Sequence, residues 1–157
     1  MNYRKIRLQP IRIYEAFELQ MKRGDVISRY IVERMEKKEV IKLIEGVHIP
    51  ATTRDAVNEG HRYGDKGRYW FQAARFIKLR ILPCVMVAFF IVFFLALLTL
   101  VSTSLTEGVR VMLWCGVLFA FYMVCYTMGQ GFFQIATKYV IRAATITANL
   151  EYSGEVG

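Results

Sequence analysis

His48 and His61 are the only histidines in the chain, and Asp55, Glu59 and Asp65 are the acids that share their stretch. A histidine becomes a base or a metal ligand when a carboxylate or thiol is held against it. Nothing in the local spacing builds that arrangement, so both are read as exposed or capping residues. Gly60-x-x-x-Gly64-x-x-Gly67, with Lys66 and Arg68, has the outline of a phosphate cradle. A P-loop needs Gly-Lys-Ser/Thr opening a helix after a strand. Here Lys66 is followed by Gly67, and the run is read as a loop that docks a lipid headgroup or a partner. Cys84, Cys115 and Cys125 show no CxxC spacing and have no histidine beside them. They are expected to act as small apolar side chains. The chain is therefore read as non-enzymatic, with no catalytic residue, no metal and no cofactor.

Charge and apolar surface divide the chain into two parts. Residues 1–80 hold 18 of the 21 Lys and Arg and 10 of the 13 Asp and Glu, so the whole net charge of +8 comes from this part. Such a basic excess beside an apolar half is read as membrane orientation and attraction to anionic lipid, in preference to nucleic-acid binding. The N-terminus lacks the apolar run of a cleaved signal peptide, and no myristoylation or prenylation motif is present.

Ile81 to Thr106 contains no charged residue. It meets the roughly 20 apolar residues that a helix needs to cross a hydrocarbon layer about 30 Å thick. A second uncharged run extends from Val111 to Thr137. The polar stretch between them, with Glu107, Gly108 and Arg110, is read as a tight turn. The fold class expected is thus an all-α membrane protein: an antiparallel two-helix transmembrane hairpin with a small helical cytoplasmic N-terminal region. The parts are a basic region with amphipathic helices (1–68), an interfacial aromatic and basic segment (69–80), spans at 81–102 and 111–134, an external loop (103–110), and a cytoplasmic helix with a frayed tail (135–157).

Orientation follows from the flanking cations. Arg62, Lys66, Arg68, Arg75, Lys78 and Arg80 precede the first span, and Lys138 and Arg142 follow the second, which places both termini in the cytoplasm. The membrane is read as a bacterial inner membrane. Tyr69 and Trp70 join these cations as headgroup-level residues. The 69–80 segment either lies in the interface, with Pro83 turning the chain inward, or is the projecting start of the spanning helix.

In the soluble part, Asp25 reads as the N-cap of one amphipathic helix from Val26 to Glu45. Ile27, Tyr30, Ile31, Met35, Ile41 and Ile44 supply its apolar face and are the expected partner-docking residues. A first helix is expected over Ile11–Met21, burying Ile13, Phe17 and Leu19. The alternating residues Ile6 to Leu8 and Ile11 to Ile13 leave a short strand pair as the alternative. Gly46 to Gly67 is expected as loop around a short helix at 53–58. Helices this short bury little core alone, so a partner is expected to cover them.

Gly116-x-x-x-Ala120 is a small-residue pair that lets helices approach closely, and Gly129, Gln130, Gly131 and Gln134 form a polar, glycine-bearing end to the second span. These six are the expected helix-packing residues. The arrangement is similar in architecture to small inner-membrane components of bacterial secretion and conjugation machines, and to the two-span anchors of conjugative coupling ATPases. That similarity implies a subunit or adaptor that assembles with membrane lipids and other membrane proteins as a homo- or hetero-oligomer. The alternative is an oligomeric pore or lesion-forming protein of the holin or toxin type. A membrane enzyme acting on lipid through His48 and His61 is a third reading.

Overall fold

The computed structural model describes residues 2–102 and 105–154. Two short strands and six α-helices run in the order β1 (Tyr3–Arg4), α1 (Pro10–Lys22), α2 (Val26–Arg34), α3 (Lys37–Glu45), β2 (Ile49–Pro50), α4 (Thr53–Phe76), α5 (Leu82–Ser102) and α6 (Leu105–Tyr152), with a π-helical turn at Ile77–Ile81 between α4 and α5. The chain is mostly helical and divides into two compact units. One comprises Met1–Phe71 and Gln134–Gly157; the other is Gln72–Phe133.

In the first unit Pro10 opens α1, where its fixed φ suits a helix start and its missing N–H costs nothing. Ile13, Tyr14 and Phe17 are buried, whereas Leu19, expected in the core, is half exposed. Asp25 caps α2 as expected, accepting from the Ser28 N–H at 2.9 Å. The expected helix from Val26 to Glu45 is two helices. Met35 and Glu36 both adopt extended backbone, and α3 starts afresh at Lys37. Ile31 and Val40 stand nine residues apart, which on an unbroken helix of about 3.6 residues per turn points them in opposite directions. The break lets Ile31, Val40 and Ile44, all fully buried, share one core with Ile13, Phe17 and Ile141.

The partner those short helices need is the chain's own C-terminal segment: Val140, Ile141, Ala144 and Ala148 of α6 pack into that cluster. A second cluster joins Val47, Ile49 and Ala56 to Ile146 and Leu150. Residues 135–150 are thus helix, as expected, and belong to the same unit as the N-terminal region. The strand pair lies elsewhere than expected: Tyr3 faces Pro50 and Arg4 faces Ile49, antiparallel, while Ile11 and Ile13 are helical. Gly60, Gly64 and Gly67 are not in a loop, because α4 runs unbroken from Thr53.

In the second unit the π-turn and α5 meet α6 at three places. Ile77 approaches Gly129, the Phe89 and Phe119 rings have centroids 6.3 Å apart, and Gly108 sits against the Leu100 side chain. Thr103 and Ser104, part of the expected 103–110 loop, lie outside the described residues; so do residues 155–157 of the expected tail. Leu105 to Arg110 are already helix, with Glu107 in the first turn, where the helix dipole favours an acid. Of the two readings for 69–80, the structure has the continuous helix: Thr53–Ser102 is one helical run. Pro83 does not break it. In an α-helix its ring would press on the carbonyl four residues back; the π-turn just before it widens the backbone, with the Leu82 N–H reaching the Ile77 carbonyl.

Two of these helices are long and apolar enough to cross a membrane. The 21 residues of α5 rise about 31 Å at about 1.5 Å each, close to the thickness of a hydrocarbon layer.

The break before α3 is checked by Lys37→Pro. Lys37 is the first helical residue after an extended Glu36, a position and a neighbour that both suit proline. Stability should change by less than about 1 kcal/mol, against a loss of about 3 kcal/mol if the helix were continuous there. Thermal unfolding read by circular dichroism separates the two.

Candidate functional site

The expected site residues fall into both units. Among the docking residues, Ile31 and Ile44 are completely buried, and Ile27 and Met35 pack against the same cluster. This face is the core of the unit and is not open to a partner; Tyr30 and Ile41 are half-buried beside it. A groove of about 580 Å³ lies next to that core, with Phe17, Gly60 and Gly64 in its floor and Asp25, Asp65 and Arg68 on its rim. His61 reaches the groove. His48 instead faces the Tyr3 ring, at 5.8 Å between centroids. Asp25 is already committed: both the N–H and the hydroxyl of Ser28 donate to its carboxylate. Among the described residues, no group of three or more His, Cys, Asp or Glu is placed to hold a metal ion.

The close approach of α4 to α6 runs along Gly60, Gly64 and Gly67. A Cβ added at Gly60 would meet Ile146 Cγ2 at 3.5 Å, and one at Gly64 would meet Ala143 Cβ at 3.9 Å. At Gly67 it would stand 2.7 Å from Val140 Cγ2, 3.2 Å from the Val140 nitrogen and 3.4 Å from the Ala136 carbonyl oxygen. The residues that resemble a phosphate cradle in the sequence therefore form a helix-packing face. Tyr63 stacks on Tyr139 beside it, with Arg142 over the Tyr63 ring and Lys66 over the Tyr139 ring, each at 5.7 Å. Lys66, expected at lipid headgroups, is engaged there.

Asn149 is a polar anchor that was not among the expected site residues. It is buried, its side-chain oxygen accepts from the Arg7 and Leu8 N–H groups at 2.8 and 3.1 Å, and its amide donates to the Thr145 carbonyl at 2.9 Å. It ties the N-terminal segment to α6 across more than 140 residues of sequence.

Of the expected helix-packing residues, Gly129 is buried against Ile77, with room for a Cβ at 3.4 Å. Gly116 and Gly131 have nothing within 4 Å of an added Cβ, and Ala120 and Gln134 are exposed. The contact of α6 with α5 thus uses Gly108, its contact with the π-turn uses Gly129, and the Gly116 face is left open. Of the expected headgroup residues, Arg62, Arg68, Tyr69 and Trp70 belong to the first unit, Tyr69 and Trp70 in edge-to-face contact at 5.6 Å. Arg75, Lys78 and Arg80 are exposed on the second. Lys78, Gln130 and Phe133 line a crevice of about 280 Å³ between the start of α5 and α6.

The chain does not bury the apolar surface of the second unit. In the most apolar stretches of its two long helices, only 11% and 6% of residues are buried. Phe90, Phe94 and Trp114 are each about 60% exposed. Hydroxyls along these helices are turned back on their own backbone: Thr99 donates to the Ala96 carbonyl, Ser102 to Leu98 and Thr127 to Met123. Cys115 and Cys125 are buried and Cys84 is exposed, all as free thiols.

Comparison with protein-family models, with curated proteins and with solved structures finds no match.

Two substitutions test the packing of the first unit. Gly67→Ala should destabilise it by about 1–3 kcal/mol, because a backbone atom of α6 must move. Asn149→Leu should cost about 1–3 kcal/mol, because it leaves the Arg7 and Leu8 amides without their acceptor. Hydrogen exchange should quicken at Arg7 and Leu8 in Asn149→Leu and along 136–147 of α6 in Gly67→Ala. Unchanged exchange in both variants would contradict the packing described.

Proposed function

We propose that this chain is a non-enzymatic, integral membrane subunit of a larger membrane assembly, anchored by a hairpin of α5 and α6 with both termini in the cytoplasm. The observation that carries the reading is the uncovered apolar surface of the second unit. Monomeric soluble proteins rarely leave continuous apolar patches larger than a few hundred Å² in water, and here both helices are apolar around most of their circumference. A core helix of a soluble protein would be mostly covered, and a cleaved signal would sit at the N-terminus.

Further support comes from charge and from backbone chemistry. Arg75, Lys78 and Arg80 flank the start of α5, while Arg110 and Glu107 offset each other at the opposite end, the asymmetry of a cytoplasmic start. Inside hydrocarbon every backbone polar group needs a partner within the protein, which unbroken helices supply. No acid or base lies at mid-depth in either span, which disfavours proton or ion transport. The first span carries no polar stripe along its exposed face, which disfavours a pore.

Assembly is assigned to the open face at Gly116 and Ala120, where small residues let a second helix approach. The apolar residues of α2 and α3 hold the soluble unit together, so contacts with other subunits on the cytoplasmic side fall to its exposed, mainly basic surface.

The chain should stay in the membrane pellet after alkaline carbonate extraction, and reporters fused to either terminus should read cytoplasmic. In mild detergent it should migrate as an assembly, and Gly116→Leu should reduce its size without lowering its thermal stability, because among the described residues nothing lies within 4 Å of a Cβ added there. Release by carbonate would overturn the membrane reading; an unchanged size would overturn the assembly face.

A further inference from the structure

We infer that the crevice beside Lys78 holds one anionic phospholipid, with its phosphate on the Lys78 ammonium and the upper part of an acyl chain along Leu82, Met86 and Tyr126. The inference rests on the membrane reading above and adds a specific ligand site to it.

Every wall of the crevice belongs to the second unit. Lys78, Leu82, Pro83 and Met86 come from the π-turn and α5, and Tyr122, Tyr126 and Gln130 from α6. Its volume of about 280 Å³ falls just below the range of small-molecule sites, which run from about 300 to 1,000 Å³. It therefore takes the part of a lipid nearest the headgroup, leaving the rest of the chains in the bilayer. Tyr122 and Tyr126 stack with centroids 6.5 Å apart and an angle of 17°, giving a flat aromatic wall.

The polarity of the crevice is ordered along the helix. Lys78 lies one turn before Leu82, where the apolar run begins, so its ammonium falls at headgroup depth while Leu82 and Met86 lie deeper. No acid lines the site, and none occurs between Asp65 and Glu107. A phosphate is the complementary charge. Gln130 can donate to its oxygens from the opposite wall. The opening lies just after the point where the π-turn precedes Pro83 and Ile77 rests on Gly129 of α6. Single π-turns within α-helices recur at functional sites.

The test uses the full chain, purified in mild detergent and incubated with equal amounts of phosphatidylglycerol and phosphatidylcholine, with retained lipid counted by native mass spectrometry. Wild type should retain one phosphatidylglycerol. Lys78→Ala should lower its retention about fivefold, the effect of one cation near a headgroup. Arg80→Ala removes the same charge two residues away, outside the crevice, and should change retention little. Met86→Trp, which fills the apolar part, should lower retention while keeping the charge. Equal retention of both lipids, or equal losses in Lys78→Ala and Arg80→Ala, would overturn the site in favour of general surface attraction. A chain that resists carbonate extraction but shows either result loses this inference alone. A chain that carbonate releases loses the membrane reading with it.

Discussion

The missing side chain at Gly67 brings α4 against the Val140 backbone, and the rest of the first unit is built on that approach. With Gly60 and Gly64 on the same face, α4 lies close along the C-terminal half of α6. An adjoining face of α6 then presents Ile141, Ala144 and Ala148 to the short helices α1 to α3, with Val140 reaching both sides. Those helices could not bury a core among themselves. Asn149 completes the arrangement by holding the Arg7 and Leu8 amides. The N-terminal region and the last helix are therefore one folding unit, although nearly the whole chain separates them in sequence.

Lateral contact in the second unit is sparse. Small residues at Gly108 and Gly129 and the Phe89–Phe119 contact join the two helices, and most of the large apolar side chains face away from the chain. In water this surface would be a severe liability. In a bilayer it is the appropriate solvent-facing surface, because lipid tails are as apolar as leucine and association depends on close packing. The hydroxyls of Thr99, Ser102 and Thr127 bond back to their own helices, so none of the three needs water or a neighbouring helix.

Two local irregularities place side chains that regular helices would misdirect. The break at Met35 and Glu36 returns Ile31 and Val40 to one core. The π-turn at Ile77–Ile81 keeps the helix continuous ahead of Pro83 and shapes the crevice that Lys78 borders. In both cases the physical reason is angular: a break or one extra residue per turn rotates everything that follows it.

Composition and local pattern alone determined the two apolar helices, the basic excess before them, the Asp25 cap, the helix after Pro10 and the helical continuation past residue 135. Each of these depends on residues close together in sequence: a long uncharged run, a cap, a proline. The glycine series at 60, 64 and 67 shows where local reading ends, because the same spacing serves a turn, a phosphate cradle or a helix face. Only the position of α6 decides among them. The roles of Ile31 and Ile44 as core residues and of Asn149 as an anchor were decided likewise by tertiary structure. An apolar helix face is the same in sequence whether a partner or the chain itself covers it, and the covering segment here lies about 100 residues further along the chain.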